Sequence, residues 1–249
     1  MTHLARQLRS EQLIFWRTRE AAVFVFLFPP LLFVLLASVF GDGTEDGRPI
    51  SSYLVAGLLG YAVANTALGG LAIVLVLRRE SGILKRLRAT PLGAATYLAA
   101  VLLSNLVVLA LQAVAVSALG ILLFEAELPA APLSFLLSLL LGAVAFAGLG
   151  LAVTALIRSG EAIAAVVNII VLPMSFLSGS FGPADDLPAV LQALSDVLPL
   201  TYLIELVLAT YVDGESILEH GRAVAIVAVW GAAGYAVARR RFGWTPRER

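Results

Sequence analysis

"RRESGILKRLRATPL" (Arg78–Leu92) places five basic residues in a chain built mostly of Ala, Leu and Val. No charged residue stands between Arg48 and Arg78, and none between Arg88 and Glu125. The stretch therefore separates two apolar runs, each long enough to cross a bilayer, which takes about 20 residues. Within it, Ile83, Leu84 and Leu87 fall on one helical face, while Lys85, Arg86 and Arg88 surround the other. Ser81 is placed to cap the start. Thr90-Pro91 ends the helix, because the residue before a proline is pushed out of the α region. The spacing predicts a short, capped, amphipathic basic helix. Orientation alone requires only the charge; the cap, apolar face and stop point to a docking surface.

Working outward, the same charge fences delimit six apolar runs. Of the 249 residues, 60% are hydrophobic and 14% charged, and the mean hydropathy is +0.94. Soluble domains lie nearer about 45–50% apolar and about 25% charged. Too little polar surface exists to cover such a core, so the fold class is an all-α polytopic membrane protein. The first run, 21–41, contains Pro29-Pro30 and is predicted to kink, with neighbours satisfying the carbonyls freed by proline. Its length exceeds the h-region of a signal peptide, about 7–15 residues, so it reads as a genuine span. The second span lies near Tyr53–Leu77; later ones lie between Arg88 and Glu125, Glu127 and Arg158, and Glu161 and Asp185. The last run, Ala223–Ala238, is short and is extended by His220 and Gly221, with Arg222 snorkelling.

Six spans place both termini on one side, and the basic residues test that topology. Fifteen of 17 fall in the segments then assigned inward, leaving Arg48 and Arg222 outside, whereas the acids Asp42, Glu45, Asp46, Glu125, Glu127, Asp185, Asp186, Asp213, Glu215 and Glu219 fall outside. The expectation is a single domain, 1–249, in an inner or plasma membrane with cytoplasmic termini. Residues 1–20 read as an interfacial helix, with Leu4, Leu8 and Phe15 on one face, basic flanks, and Trp16 as anchor. Residues 179–220 hold two apolar pieces, "LPAVLQALSDVLPL" and "TYLIELVLATYV", too short to span; they read as re-entrant helices in the outer leaflet. Asp185-Asp186 before Leu187-Pro188 marks the start of the first, with the proline in its first turn, and Thr201 is placed to cap the second after Pro199.

Several chemistries are excluded. Lys85 is the only lysine and follows Leu84, so no P-loop exists. The chain has no Cys, no H-E-x-x-H helix, and only His3 and His220; no metal site and no catalytic residue is expected. Ser178 and Ser180 have no histidine at comparable depth to activate them. The charges coincide with span edges rather than span interiors, and no inverted repeat is visible, which argues against ion-coupled transport. Asn65, Thr66, Asn105, Gln112 and Asn168 read as interhelical hydrogen-bonding groups, worth ~0.6 kcal/mol each. Gly57, Gly60, Gly69, Gly70, Ala143, Ala147, Gly148 and Gly150 suit close helix packing.

The basic stretch resembles the cytoplasmic loop of type-2 ABC exporter permeases, multidrug- or daunorubicin-resistance-like membrane subunits partnered by a separate ATP-binding subunit. That family's pattern RE-x-G-x-x-K-R-L-x-x-[ST]-P-L is matched by Glu80, Gly82, Lys85, Arg86, Leu87, Thr90, Pro91 and Leu92. A second match, P-x-x-F-L-S-G-x-F followed by L-P and L-P-L-T-Y, is carried by Pro173, Phe176, Leu177, Ser178, Gly179, Phe181, Leu187-Pro188 and Leu198–Tyr202. Gly182 departs from the pattern, since a second aromatic is common there. The resemblance implies six spans, an amphipathic helix at 1–20, a coupling helix at 78–92 and re-entrant helices at 179–220. It implies a second permease, identical or homologous, and two ATP-binding subunits that carry ATP and Mg. The contact with them would involve Glu80, Gly82, Lys85, Arg86, Leu87, Arg88, Thr90 and Pro91. A substrate path along the second and fifth spans would be lined by Asn65, Asn168, Met174 and Phe176. The cargo expected is an amphipathic drug or lipid; alternatives are a polysaccharide or glycolipid exporter, or a channel or scaffold without an ATPase. No nucleic acid is expected as a partner.

Overall fold

The computed structural model describes residues 3–40, 43–45, 48–87, 92–157, 159–182 and 188–243. The described chain is almost wholly helical. A two-residue antiparallel pair, β1 (Thr44–Glu45) with β2 (Arg48–Pro49), closes the turn before the second long helix. The helices are α1 (His3–Arg17), α2 (Arg19–Phe40), α3 (Ile50–Val63), α4 (Leu71–Glu80), α5 (Ile83–Leu87), α6 (Ala94–Leu123), α7 (Pro132–Leu156), α8 (Gly160–Leu177), α9 (Ala189–Ser195), α10 (Pro199–Leu208) and α11 (Gly221–Arg241). A π-helical segment, Ala64–Gly70, joins α3 to α4 in one continuous rod, Ile50–Glu80.

Among the described residues, five helices are long and apolar enough to cross a membrane, Ile50–Glu80, Ala95–Leu123, Pro132–Leu156, Gly160–Leu177 and Ile217–Arg241, and the bent pair Ala189–Ser195 with Pro199–Asp213 makes a sixth if it is one span. The rod Ile50–Glu80 is the most enclosed of these, while α6 and α8 keep broad exposed apolar faces. A polytopic membrane protein needs that pattern: central helices buried by neighbours, peripheral ones by lipid. α2 is 22 residues long and apolar along Val25–Phe40. The weak last run of the sequence is lengthened as expected: a 3-10 turn, Ile217–His220, capped by Ser216 and Glu219, leads directly into α11.

Pro29 and Pro30 lie inside α2, which runs through them unbroken. Pro29 has no N–H to donate to the carbonyl of Val25, four residues back. Gln112 of α6 fills that gap, its Nε2 donating to Val25 O at 2.6 Å. Its Oε1 accepts from Thr66 Oγ1 at 3.0 Å, inside the π-helical segment. One fully buried amide thus joins the proline-interrupted helix to the irregular turn of the central rod. Gln112→Leu strands both partners, and a buried group left unsatisfied costs about 1–3 kcal/mol. The expected result is a lower unfolding temperature in detergent; an unchanged one contradicts this role.

At one end of the bundle, α9 and the helix Pro199–Asp213 meet at 81°. α10 is sunk among the longer helices: Ile204 fills the space left by Gly60, and Leu203 the space left by Gly142. The expected cap roles differ. Thr201 lies inside α10, whose N-cap is Leu198 with Pro199 at the first position. Pro199 at that position has no N–H and so removes one of the unpaired donors of the helix start. Thr201 Oγ1 instead donates to Ser195 O at 2.8 Å and contacts Ser178 Oγ and Ser195 Oγ at 2.9 and 3.0 Å, tying α8, α9 and α10 together. Pro188 is the N-cap of α9 rather than a first-turn residue. Asp185, Asp186 and Leu187 lie outside the described residues. His220, isolated in sequence, meets Glu215 at 2.6 Å and Glu205 at 3.5 Å.

Candidate functional site

The site is the α4–α5 turn at the opposite end of the bundle. α4 stops because Gly82 adopts a left-handed conformation, φ +73°. Its N–H donates to Arg79 O at 3.1 Å, and that of Ser81 to Leu77 O at 3.0 Å. A Cβ on Gly82 would meet nothing within 4 Å, so the demand for glycine is conformational. Ser81 is therefore the C-cap of α4, not the start of the next helix, and its hydroxyl donates back to Arg78 O. α5 begins with Arg86 N donating to Gly82 O. The predicted apolar face is split. Leu84 is fully buried with Leu71, Leu75, Tyr97 and Leu151, and Leu87 packs on the same cluster, whereas Ile83 is exposed beside Lys85 and Arg86. Five residues of helix bury one stripe only, and Ile83 lies beyond its edge. Arg88, Thr90 and Pro91 lie outside the described residues.

Three consecutive charges brace this turn, each toward a different neighbour. Arg78 forms a bidentate pair with Glu11 of α1, Nη2–Oε2 2.7 Å and Nη1–Oε1 2.9 Å, and Nη1 also donates to Tyr97 Oη of α6 at 2.7 Å. Arg79 is fully buried and donates to Thr154 O at 2.6 Å and Ile157 O at 2.5 Å, the last carbonyls of α7. A cation there complements the negative end of the helix dipole. Glu80 is exposed and lies at the first turn of α8, so near that a Cβ on Gly160 would sit 2.5 Å from Oε2. A carboxylate suits that positive helix end.

Glu11 and Tyr97 were not singled out by sequence reading, and Arg78 and Arg79 were read only as orientation charge. The signal for Glu11 was present: it lies on the same stripe of α1 as Leu4, Leu8 and Phe15, an acid in the middle of an apolar face. The stripe faces protein, since Glu11 is only 5% exposed and Gln12 Nε2 donates to Ser104 O and Ser104 Oγ, both at 2.9 Å.

The four expected path residues are not equivalent. Asn65 is half-buried in the π-helical segment, beside the contact where Gly69 admits Val167 of α8. Asn168 and Phe176 are exposed on α8, Phe176 by 65%, but Met174 is buried in the core. Aromatic rings continue inward from Phe176: Phe176–Phe181, Phe181–Tyr61 and Tyr61–Phe28, with centroids 4.8, 5.3 and 6.1 Å apart. A separate apolar groove of about 420 Å³ lies between α6 and α7, lined by residues including Leu109, Val114, Phe135 and Leu139. Among the described residues, no group of three or more His, Cys, Asp or Glu is placed to hold a metal ion.

Comparison with known proteins agrees with this architecture. The ABC-2 type transporter family model matches residues 4–212. The chain is 22% identical over 202 residues to YvfS of Bacillus subtilis (strain 168), which its name describes as a transport permease; the match covers 80% of this chain and 78% of YvfS. It is 40% identical over 67 residues to Nodulation protein J of Rhizobium leguminosarum bv. viciae, covering 27% of this chain and 26% of that protein. It is 38% identical over 87 residues to Nodulation protein J of Sinorhizobium fredii, covering 34% and 33%. The chain thus spans about a third or less of the nodulation proteins' length and most of YvfS. With the family match extending from α1 to the segment after α10, this multi-pass membrane chain belongs to the ABC-2 type transporter family.

Proposed function

We propose that this chain is the permease subunit of an ATP-driven exporter in an inner or plasma membrane, with α5 as the coupling helix that docks on a separate ATP-binding subunit. The exposed trio Ile83, Lys85 and Arg86, presented on a turn braced to α1, α6, α7 and α8, is the observation that carries this reading. An exposed apolar side chain beside two cations on a braced turn suits an acid-rimmed apolar socket. In this reading α2 completes six spans, α1 lies at the inner interface, and both termini face the cytoplasm. The pair α9–α10 dips into the outer leaflet. Two such permeases enclose the path, and two ATP-binding subunits hold ATP and Mg beneath them. The permease supplies no chemistry; it converts nucleotide-driven closure into movement of the central rod.

The test is reversal of Lys85, Arg86 and Arg88 to glutamate together. Three opposed charges at a docking face turn attraction into repulsion worth several kcal/mol. Substrate-stimulated ATP hydrolysis by the purified complex is expected to fall to the level of the isolated ATP-binding subunit. Full retention of stimulation overturns the assignment.

The cargo is amphipathic, a drug or lipid, moving outward along α3–α4 and α8 past Asn65, Asn168 and Phe176, with Met174 behind them. Single cysteines at these four positions are expected to change reactivity with nucleotide or substrate; unchanged reactivity at all four refutes the path. A second reading is favoured by the ring series Phe28–Tyr61–Phe181–Phe176. A run of aromatic rings in edge-on and tilted contact suits ring-bearing cargo, such as a glycolipid. Stimulation of hydrolysis by a glycolipid but not by amphipathic drugs would select it.

A further inference from the structure

We propose that Glu11 and Arg78 are positioning residues that fuse α1 to the coupling turn, so that a push on α5 is delivered to α1 as well as to the central rod. The inference rests on the reading of α5 as the ATPase contact. It begins with a charge where none is needed for burial. Leu4, Leu8 and Phe15 already supply α1 with an apolar stripe, yet Glu11 interrupts it and is 5% exposed. A buried ion pair is weak support for stability, because desolvation of both charges offsets much of their attraction, and apolar replacements often serve as well. Such a pair fixes geometry instead.

The geometry here is over-determined. Arg78 presents its planar fork to both carboxylate oxygens, at 2.7 and 2.9 Å, which sets the angle as well as the distance. Gln7 Nε2 donates to Glu11 Oε1 at 2.8 Å, and Tyr97 Oη holds the guanidinium from the other side at 2.7 Å. Gln12 pins the next position of α1 to Ser104. The pair joins residues 67 positions apart in the chain. Arg78 stands three residues before Ser81, where α4 gives way to the turn that starts α5. α1 is thereby attached at the point where force enters the permease. Its exposed face, with Arg6, Arg9 and Arg17, moves with the docking turn rather than floating on the lipid.

The test uses the whole complex with its ATP-binding subunit in proteoliposomes, read as substrate transported per ATP hydrolysed. Glu11→Ala is expected to lower that ratio about tenfold. The charge swap, Glu11→Arg with Arg78→Glu, is expected to restore it to within about threefold, which a generic packing defect would not do. The chain has no cysteine, so Glu11→Cys with Arg78→Cys can be joined by a short reducible thiol cross-linker. The cross-linked complex is expected to keep its coupling ratio, because the joined elements already move together; cutting the linker is expected to lower it. An unchanged ratio in Glu11→Ala overturns the proposal. So does a cross-linked complex that stalls and recovers on reduction, since α1 must then part from α4. The linked and reduced forms are the same sample, so poor folding of the point variants leaves the comparison decisive. Failure of the α5 reading is seen separately, as stimulated hydrolysis that survives reversal of Lys85 and Arg86.

Discussion

Gly234→Val is expected to deplete the chain from the membrane and to leave what remains unfolded on extraction. α7 and α11 cross on glycines that bring their backbones close together. A Cβ on Gly234 would lie 2.5 Å from the carbonyl carbon of Gly148 and 2.6 Å from its oxygen and from Leu149 N. A Cβ on Gly148 would meet Gly231 O at 2.6 Å, and one on Gly231 would meet Ala145 Cα at 2.6 Å. Every obstructing atom just named is backbone, which cannot rotate aside as a leucine terminus can. In lipid, helices are not driven together by water, so close packing between small residues carries much of the association. Overpacking costs typically about 1–3 kcal/mol where side chains can adjust. With backbone on both sides the cost here is on the order of 3 kcal/mol or more. Gly221 is the control: a Cβ there meets nothing within 4 Å, and Gly221→Ala is expected to behave as wild type. Size-exclusion profiles of the extracted protein separate the two outcomes. A monodisperse peak of normal height for Gly234→Val would refute the argument.

Arg79→Ala is expected to be the next most damaging change, and to damage coupling as well as folding. The guanidinium is fully buried and satisfies two carbonyls at the end of α7. Hydrogen bonds to a charged group are worth about 1.5–3 kcal/mol each, and the alanine variant leaves two acceptors buried without them. A loss of about 3 kcal/mol or more in stability follows, read as a fall in unfolding temperature. Arg79→Lys is expected to fall between, because an ammonium is a single point of charge and cannot repeat the fork that reaches Thr154 and Ile157 together. Arg79 ties α4 to α7 directly beside the turn, so on the proposed reading of α5 a complex carrying the lysine variant is expected to show weaker stimulation of ATP hydrolysis by its partner subunit. An Arg79→Lys complex coupled like the wild type would confine Arg79 to a folding role.

The spans and the basic turn were legible in sequence because they rest on local arithmetic. The charge-free run between Arg48 and Arg78 must lie in lipid or core whatever surrounds it. The pieces around Pro199 read as too short to span, and the structure bends that region by 81°, which a re-entrant loop and a broken span share. Local signals misled where a residue had two possible customers. Ser81 and Thr201 carry cap chemistry, but Gly82 ends α4 by conformation alone, and Thr201 spends its hydroxyl on Ser195 and Ser178.

Composition, charge order and the period of apolar residues determined by themselves that this chain is a helical membrane protein with a basic helix in its first long turn. These quantities depend on the solvent each segment must meet, and lipid and water are the same for every fold. Partnership was decided only by the tertiary structure. Nothing near Gln112 in sequence points to Val25 and Thr66, and nothing near Arg78 points to Glu11, 67 residues away. A hydrogen bond or a bare glycine contact needs two backbones brought within a few ångströms. That meeting is set by how all the helices pack at once. The stretch Arg78–Leu92 therefore announced a helix and its charge, while the packing alone showed that its first two arginines face inward and its lysine faces out.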